Sequence, residues 1–209
     1  MPLYKTLTPN KQTTVKIWKI TESYEDLLKP LNLKPENLER VKGMKSEIHQ
    51  RGFLSVRHLL HEYGYNDKDL FYDENGKPHL KDGKYISITH SFNFSGVIIS
   101  DFEVGIDIEK QRNKIGIIAK KFTGYESDYL KAEDDNYVRT LTVVWCIKES
   151  LYKLFATPGL SFKKHCLVLP FTFNDNETIS WIDYSNQKER YNAYFLEFEG
   201  FTCAYAIPS

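Results

Sequence analysis

The chain has 209 residues, with 28 Lys plus Arg against 28 Asp plus Glu and a formal net charge of zero. That balance argues against a nucleic-acid or polyanion binder working by bulk attraction, so any anion site must be built from local clusters. The length suggests one large domain or two small lobes. Cys146, Cys166 and Cys203, an N-terminus without an apolar leader and the lack of any membrane-length apolar run point to a soluble protein of the reducing cytoplasm.

Val15 to Ile20 reads as a first strand. Pro35 then opens a long helical pattern in which Leu38, Val41, Met44 and Ile48 recur at three and four, followed by Val56, Leu59 and Leu60. Gly43 and Gly52 are candidate breaks, and Gly64 the stop. Asp73-Glu74-Asn75-Gly76 carries turn chemistry, and Pro78 keeps the next segment extended. YISITHS and SGVIISDFEVGIDIE read as three short strands. Helical patterns follow in IGIIAKKF, YESDYLKA and NYVRTLTVVWCIKESLYKLFA, the last ended by Pro158-Gly159. CLVLPFTF, TISWIDY, YNAYFLEF and FTCAYAI read as strands. The order predicts an α+β fold of two lobes, 1–102 and 103–209.

VGIDIE sets two acids into an apolar strand. Alternation puts Asp107 and Glu109 on one face and Ile106 and Ile108 on the other. Two carboxylates ~7 Å apart along a strand repel unless a cation lies between them, and a hard divalent ion fits. A solvated acidic strand face explains the pattern equally well. In WCIKESLYK, Glu149 and Lys153 share a helix face with Trp145 one turn earlier. An ordinary surface pair there contributes only ~0.3–0.5 kcal/mol, yet the surrounding helix is apolar, which suits a cleft. In ISITHS, His90 is either a satisfied core histidine or, beside Thr89 and Ser91 and following the Lys77 turn, part of a phosphate cradle.

In order, GKP (76–78), ITHS (88–91), VGIDIE (104–109), FTGYE (122–126) and WCIKESLYK (145–153) resemble the 4′-phosphopantetheinyl transferase superfamily, in its longer Sfp type. The resemblance covers roughly residues 35–165. It implies two similar α+β lobes in a pseudo-twofold arrangement, antiparallel sheets packed with helices, in a monomeric chain. It also implies transfer of the 4′-phosphopantetheine arm of coenzyme A, the co-substrate, to a serine of an apo carrier protein (an acyl, peptidyl or aryl carrier domain), with release of 3′,5′-ADP. Neither nucleic acid nor membrane is an implied partner.

By the same resemblance Asp107, Glu109 and Glu149 would be Mg²⁺ ligands, with Mn²⁺ as an alternative, and Lys153 the phosphate-neutralising lysine. Thr89 and His90 would hold coenzyme A phosphate, Lys77 would lie near the adenine end, and Arg51 would bind the 3′-phosphate. Glu126 would help activate the carrier serine, making Glu126, Glu149 and Lys153 the catalytic set. Thr89 replaces the family's usual Ser and keeps the hydroxyl. IGIIAKKF offers a docking surface, with Lys114, Lys120 and Lys121 flanking Ile115, Ile117 and Ile118. Two rival readings are another Mg²⁺-dependent phosphoryl-transfer enzyme and a non-catalytic carrier-binding module. All four of Asp107, Glu109, Glu149 and Lys153 are present, and a catalytically lost relative would lack one.

Overall fold

In Thr13–Lys19 (β2), Thr13, Val15 and Ile17 are fully buried on alternate positions, the signature of a strand with one face on a core. The computed structural model describes residues 3–209, and the chain divides into two compact units, Met1–Asp101 and Phe102–Ser209. Each packs one antiparallel sheet against helices, as the sequence predicts.

In the first unit β2 pairs with Leu3–Asn10 (β1), a strand the sequence does not announce. None of its residues is buried, it carries no apolar alternation, and it ends the sheet. A short helix, Tyr24–Leu28 (α1), starts on Ser23, whose hydroxyl accepts the Asp26 N–H at 3.1 Å. The long predicted helix is two, Pro35–Gly43 (α2) and Glu47–Glu62 (α3). The break falls after Gly43, where Met44 is extended. It resets the helical phase, which leaves Ile48 exposed although its spacing had placed it on the buried face. Gly52 breaks nothing; it lies inside α3. Phe53, Leu54, Val56, Leu59 and Leu60 of α3 fill the core with Trp18, Ile86, Val97 and Ile99.

The remaining strands are Leu70–Tyr72 (β3), Pro78–Leu80 (β4), Tyr85–Ser91 (β5) and Phe94–Ser100 (β6), in the order β1-β2-β6-β5-β4-β3. A buried ion pair ties α2 to α3. The Arg57 Nε donates to Asp67 Oδ1 at 3.1 Å, and both side chains are 2% exposed. Asp67 also accepts the Lys34 backbone N–H at 2.8 Å and the Asn37 amide at 2.9 Å. The Arg57 guanidinium lies 3.5 Å from the Phe53 ring centroid. Burial alone would raise the Asp67 carboxyl, but these hydrogen bonds and the Arg57 charge outweigh it and hold it below its ordinary value.

The second unit runs Gly105–Lys110 (β7), Ile115–Phe122 (α4), a single 3₁₀ turn at Tyr125–Asp128, Tyr137–Phe155 (α5), Phe162–His165 (α6), Cys166–Val168 (β8), Glu177–Tyr184 (β9), Gln187–Phe198 (β10) and Phe201–Pro208 (β11). The sheet order is β7-β11-β10-β9-β8. YESDYLKA is not the predicted helix, because Glu126 turns inward and bonds to neighbouring backbone instead. The strand predicted over CLVLPFTF stops at Val168, two residues before Pro170, which has no N–H for a ladder. Helix α5 ends at Phe155, ahead of Pro158, with Ala156 in the left-handed region at φ 47°. Leu141, Val144, Ile147, Leu151 and Leu154 of α5 pack with Ala204 and Ala206 of β11. Those small residues let the helix lie close to the sheet. Among the described residues no helix is long and apolar enough to cross a membrane.

Candidate active site

Strand register decides which way the acids of β7 face. Asp107 is opposite Ala204 and Glu109 opposite Thr202 on β11. Cross-strand partners share a face, and Ala204 belongs to the core beneath α5. The two carboxylates therefore face α5, while Ile106 and Ile108, both buried, occupy the other side. This removes the solvated-face reading for Asp107, which is 6% exposed.

Helix α5 brings Cys146, Glu149, Ser150 and Lys153 to that face at intervals of three and four. Lys153 Nζ donates to Asp107 Oδ1 at 2.8 Å and to the Ile106 carbonyl at 2.9 Å. It is thus more than an i,i+4 surface partner of Glu149, since it bridges helix and strand. Burial first, then the charges of Asp107 and Glu109, push the Glu149 carboxyl up to about 7, with Lys153 opposing. Three carboxylates against one ammonium leave the cluster with surplus negative charge, which adds to the effect of burial. The Cys146 thiol, fully buried, is held well above its ordinary value by burial and by the same two carboxylates. Its place beside Asp107 has no mark in the sequence beyond its spacing from Glu149.

The donor set suits a hard dication: three carboxylate side chains that repel one another. Among the described residues, no three His, Cys, Asp or Glu side chains are drawn into a coordination shell. Asp107 Oδ1 is taken by the Lys153 ammonium instead. Beside Glu109 lies a depression of about 220 Å³ walled by Arg112, Lys114, Ile115, Ile118 and Trp145. Trp145 is fixed edge-on against Phe122 and Phe162, at 5.0 and 5.6 Å between ring centroids. On α4, Ile115 and Ile118 pack toward the core, whereas Ile117 is 81% exposed.

Glu126 is in a different setting from its sequence expectation. Its side chain is fully buried and pairs with Lys148 Nζ at 2.8 Å. Oε1 accepts the Val168 N–H at 2.9 Å and Oε2 the Gly124 N–H at 3.1 Å. A carboxylate so enclosed does not meet an incoming serine in this structure.

The four remaining residues belong to the first unit. His90, at the end of β5, lies against Gly52: a Cβ added there would be 3.3 Å from the His90 ring. The His49 ring is 6.2 Å from it. Gly52 thereby brings His90 beside the stretch of α3 that holds Arg51, whose guanidinium donates to the Ile20 carbonyl at 3.3 Å. Gly52, expected to be a break, is instead the close-approach point for His90, and its small size was the available signal. Thr89 is buried in β5. Lys77 closes the β3–β4 hairpin, its N–H bonded to Asp73 Oδ1 at 2.9 Å.

Residues 103–206, the stretch that carries this acidic cluster, match the model of the 4′-phosphopantetheinyl transferase superfamily. The chain is also 31% identical over 145 residues to the 4′-phosphopantetheinyl transferase gsp of Aneurinibacillus migulanus, an alignment covering 66% of this chain and 58% of the relative. This protein belongs to the 4′-phosphopantetheinyl transferase superfamily. It spans less than two thirds of the length of the curated relative it matches.

Proposed function

We propose that the protein transfers the 4′-phosphopantetheine arm of coenzyme A to a serine of an apo carrier protein. The observation that carries this reading is the cluster of Asp107, Glu109, Glu149 and Lys153 on facing surfaces of β7 and α5, inside the family-matched region. In the proposed reaction the serine Oγ bonds to the phosphorus that bears the pantetheine arm. The bond from that phosphorus to the bridging oxygen breaks, and 3′,5′-ADP leaves with the electron pair.

Asp107, Glu109 and Glu149 would hold Mg²⁺, which supplies charge neutralisation for the pyrophosphate. Lys153, already poised on Asp107, adds a positive charge at the same place. The serine must lose a proton. Glu149 is half-buried and can receive it, whereas Glu126 is sealed and is assigned no part in the proton transfer. Arg51, His90, Thr89 and Lys77 of the first unit are proposed as coenzyme A contacts. The carrier is proposed to dock on α4, through Ile117 and the flanking Lys114, Lys120 and Lys121. Three buried free thiols suit a reducing cytoplasm.

The test is direct. The protein is mixed with coenzyme A, Mg²⁺ and an apo carrier domain, and the carrier is weighed by intact mass spectrometry. The expected result is a gain of one phosphopantetheine that disappears with a chelator. No gain with any carrier tried overturns the reading.

A further inference from the structure

Of the charged groups in the second unit, Glu126 and Lys148 are both completely buried. Neither has a proton or lone pair turned to solvent. Lys148 Nζ spends its three N–H groups on Glu126 at 2.8 Å, the Phe122 carbonyl at 2.9 Å and the Phe162 carbonyl at 3.0 Å. Glu126 collects Lys148 and the backbone N–H groups of Val168 and Gly124. One ion pair thus gathers the end of α4, the 3₁₀ turn, α6, β8 and the middle of α5. Neutral pairs of similar volume fill such places at little or no cost in stability, so burying two charges calls for another reason.

Lys148 immediately precedes Glu149 on α5. On its other side Ser150 is pinned by β7, since a Cβ on Gly105 would fall 1.8 Å from the Ser150 carbonyl oxygen. Ser150 Oγ is also within 3.0 Å of the Ala204 carbonyl. The helix is therefore held at 148 and at 150, and the residue between is the acid that faces Asp107 and Glu109. We infer that Glu126 and Lys148 are positioning residues, which fix the rotation of α5 and so aim the Glu149 carboxylate into the acidic cluster. This rests on the reading of Asp107, Glu109 and Glu149 as a metal-holding set, and it departs from a role for Glu126 at the carrier serine.

The test reads metal binding apart from turnover. Mn²⁺ is titrated into the free protein and followed by electron paramagnetic resonance, and steady-state transfer is measured alongside. In the double variant Glu126→Leu/Lys148→Met both charges leave together, so no charge is stranded. The expected result is cooperative unfolding, Mn²⁺ binding weakened about 10–100-fold, kcat lowered to match and the KM for coenzyme A little changed. A folded double variant with wild-type Mn²⁺ affinity and kcat overturns the inference. So does a fall in kcat with Mn²⁺ affinity intact, which would place Glu126 or Lys148 at the substrate. If the double variant does not fold, Glu126→Asp decides. It keeps the charge and shortens the reach by one carbon, and the same joint loss is expected; unchanged Mn²⁺ affinity again overturns the inference. Wild-type protein that binds no Mn²⁺ and transfers no arm overturns the parent reading instead, and this one with it.

Discussion

Gly105 and Ser150 touch through their backbones: the space a Cβ would need on Gly105 is already filled by the Ser150 carbonyl oxygen, 1.8 Å away. Only glycine permits β7 and α5 to approach this closely. Because the obstacle is backbone, it cannot rotate aside as a side chain would. Gly105→Ala is expected to lower stability by about 1–3 kcal/mol or more, read as a lower unfolding midpoint in urea. Transfer should fall further than stability explains, because the helix that moves carries Glu149 and Lys153. A variant with wild-type stability and rate would mean that the strand and helix are looser than this contact requires.

Asp107→Ala removes one of the two acceptors of Lys153 and one carboxylate of the cluster. The lysine left behind is 28% exposed and can reach water, so the fold should persist. Transfer is expected to drop about 10²–10³-fold, and Mn²⁺ binding to fall with it. Near-normal transfer would remove Asp107 from the site.

Asp67 supplies the pH dependence. Its carboxyl is held below its ordinary value in the folded chain. At pH values below the unfolded pKa of about 4, the unfolded chain binds a proton that the folded chain does not. Stability from this group is complete above that pH and is lost as the pH falls through the folded value. Asp67→Asn strands the buried Arg57 and should cost about 3–5 kcal/mol near neutral pH. Urea unfolding of both proteins across the acid range should show the gap narrowing as the wild type loses its advantage. A gap independent of pH would mean that Asp67 titrates alike in both states.

Ile117 makes little contribution to the core, being 81% exposed. Ile117→Glu should leave the melting temperature unchanged. If α4 meets an acidic carrier, the variant should raise the carrier KM about fivefold or more and leave the KM for coenzyme A alone. An unchanged carrier KM would move the docking surface elsewhere.

What could be read in advance divides along physical lines. Strong periodicity in Tyr137–Phe155 and alternation in Gly105–Lys110 placed the helix and strand of the acidic cluster within a residue or two. Alternation put Asp107 and Glu109 on one shared face, but which way that face turns was set by their register against Ala204 and Thr202 of β11, which no local pattern encodes. Strand β1 was hidden, because an exposed end strand needs no apolar code. Glu126 was unreadable for the opposite reason: nothing local distinguishes a solvent-facing acid from one drawn inward by Lys148, twenty-two residues on, and Val168, forty-two residues on. Gly52 was taken for punctuation when its smallness in α3 serves a neighbour, His90, on strand β5.

The cysteines were first informative for the framework they do not form. All three are free, buried and confined to Phe102–Ser209. Burial also raises the Cys166 thiol to about 12 and lifts Cys146 and Cys203 as well, so little thiolate exists to react even if a reagent diffuses in. Met1–Asp101 contains none. The molecule therefore carries an intrinsic clock for the opening of one unit alone. The rate at which a thiol reagent labels native protein times excursions of the half that holds the acidic cluster, and the other half is silent to it.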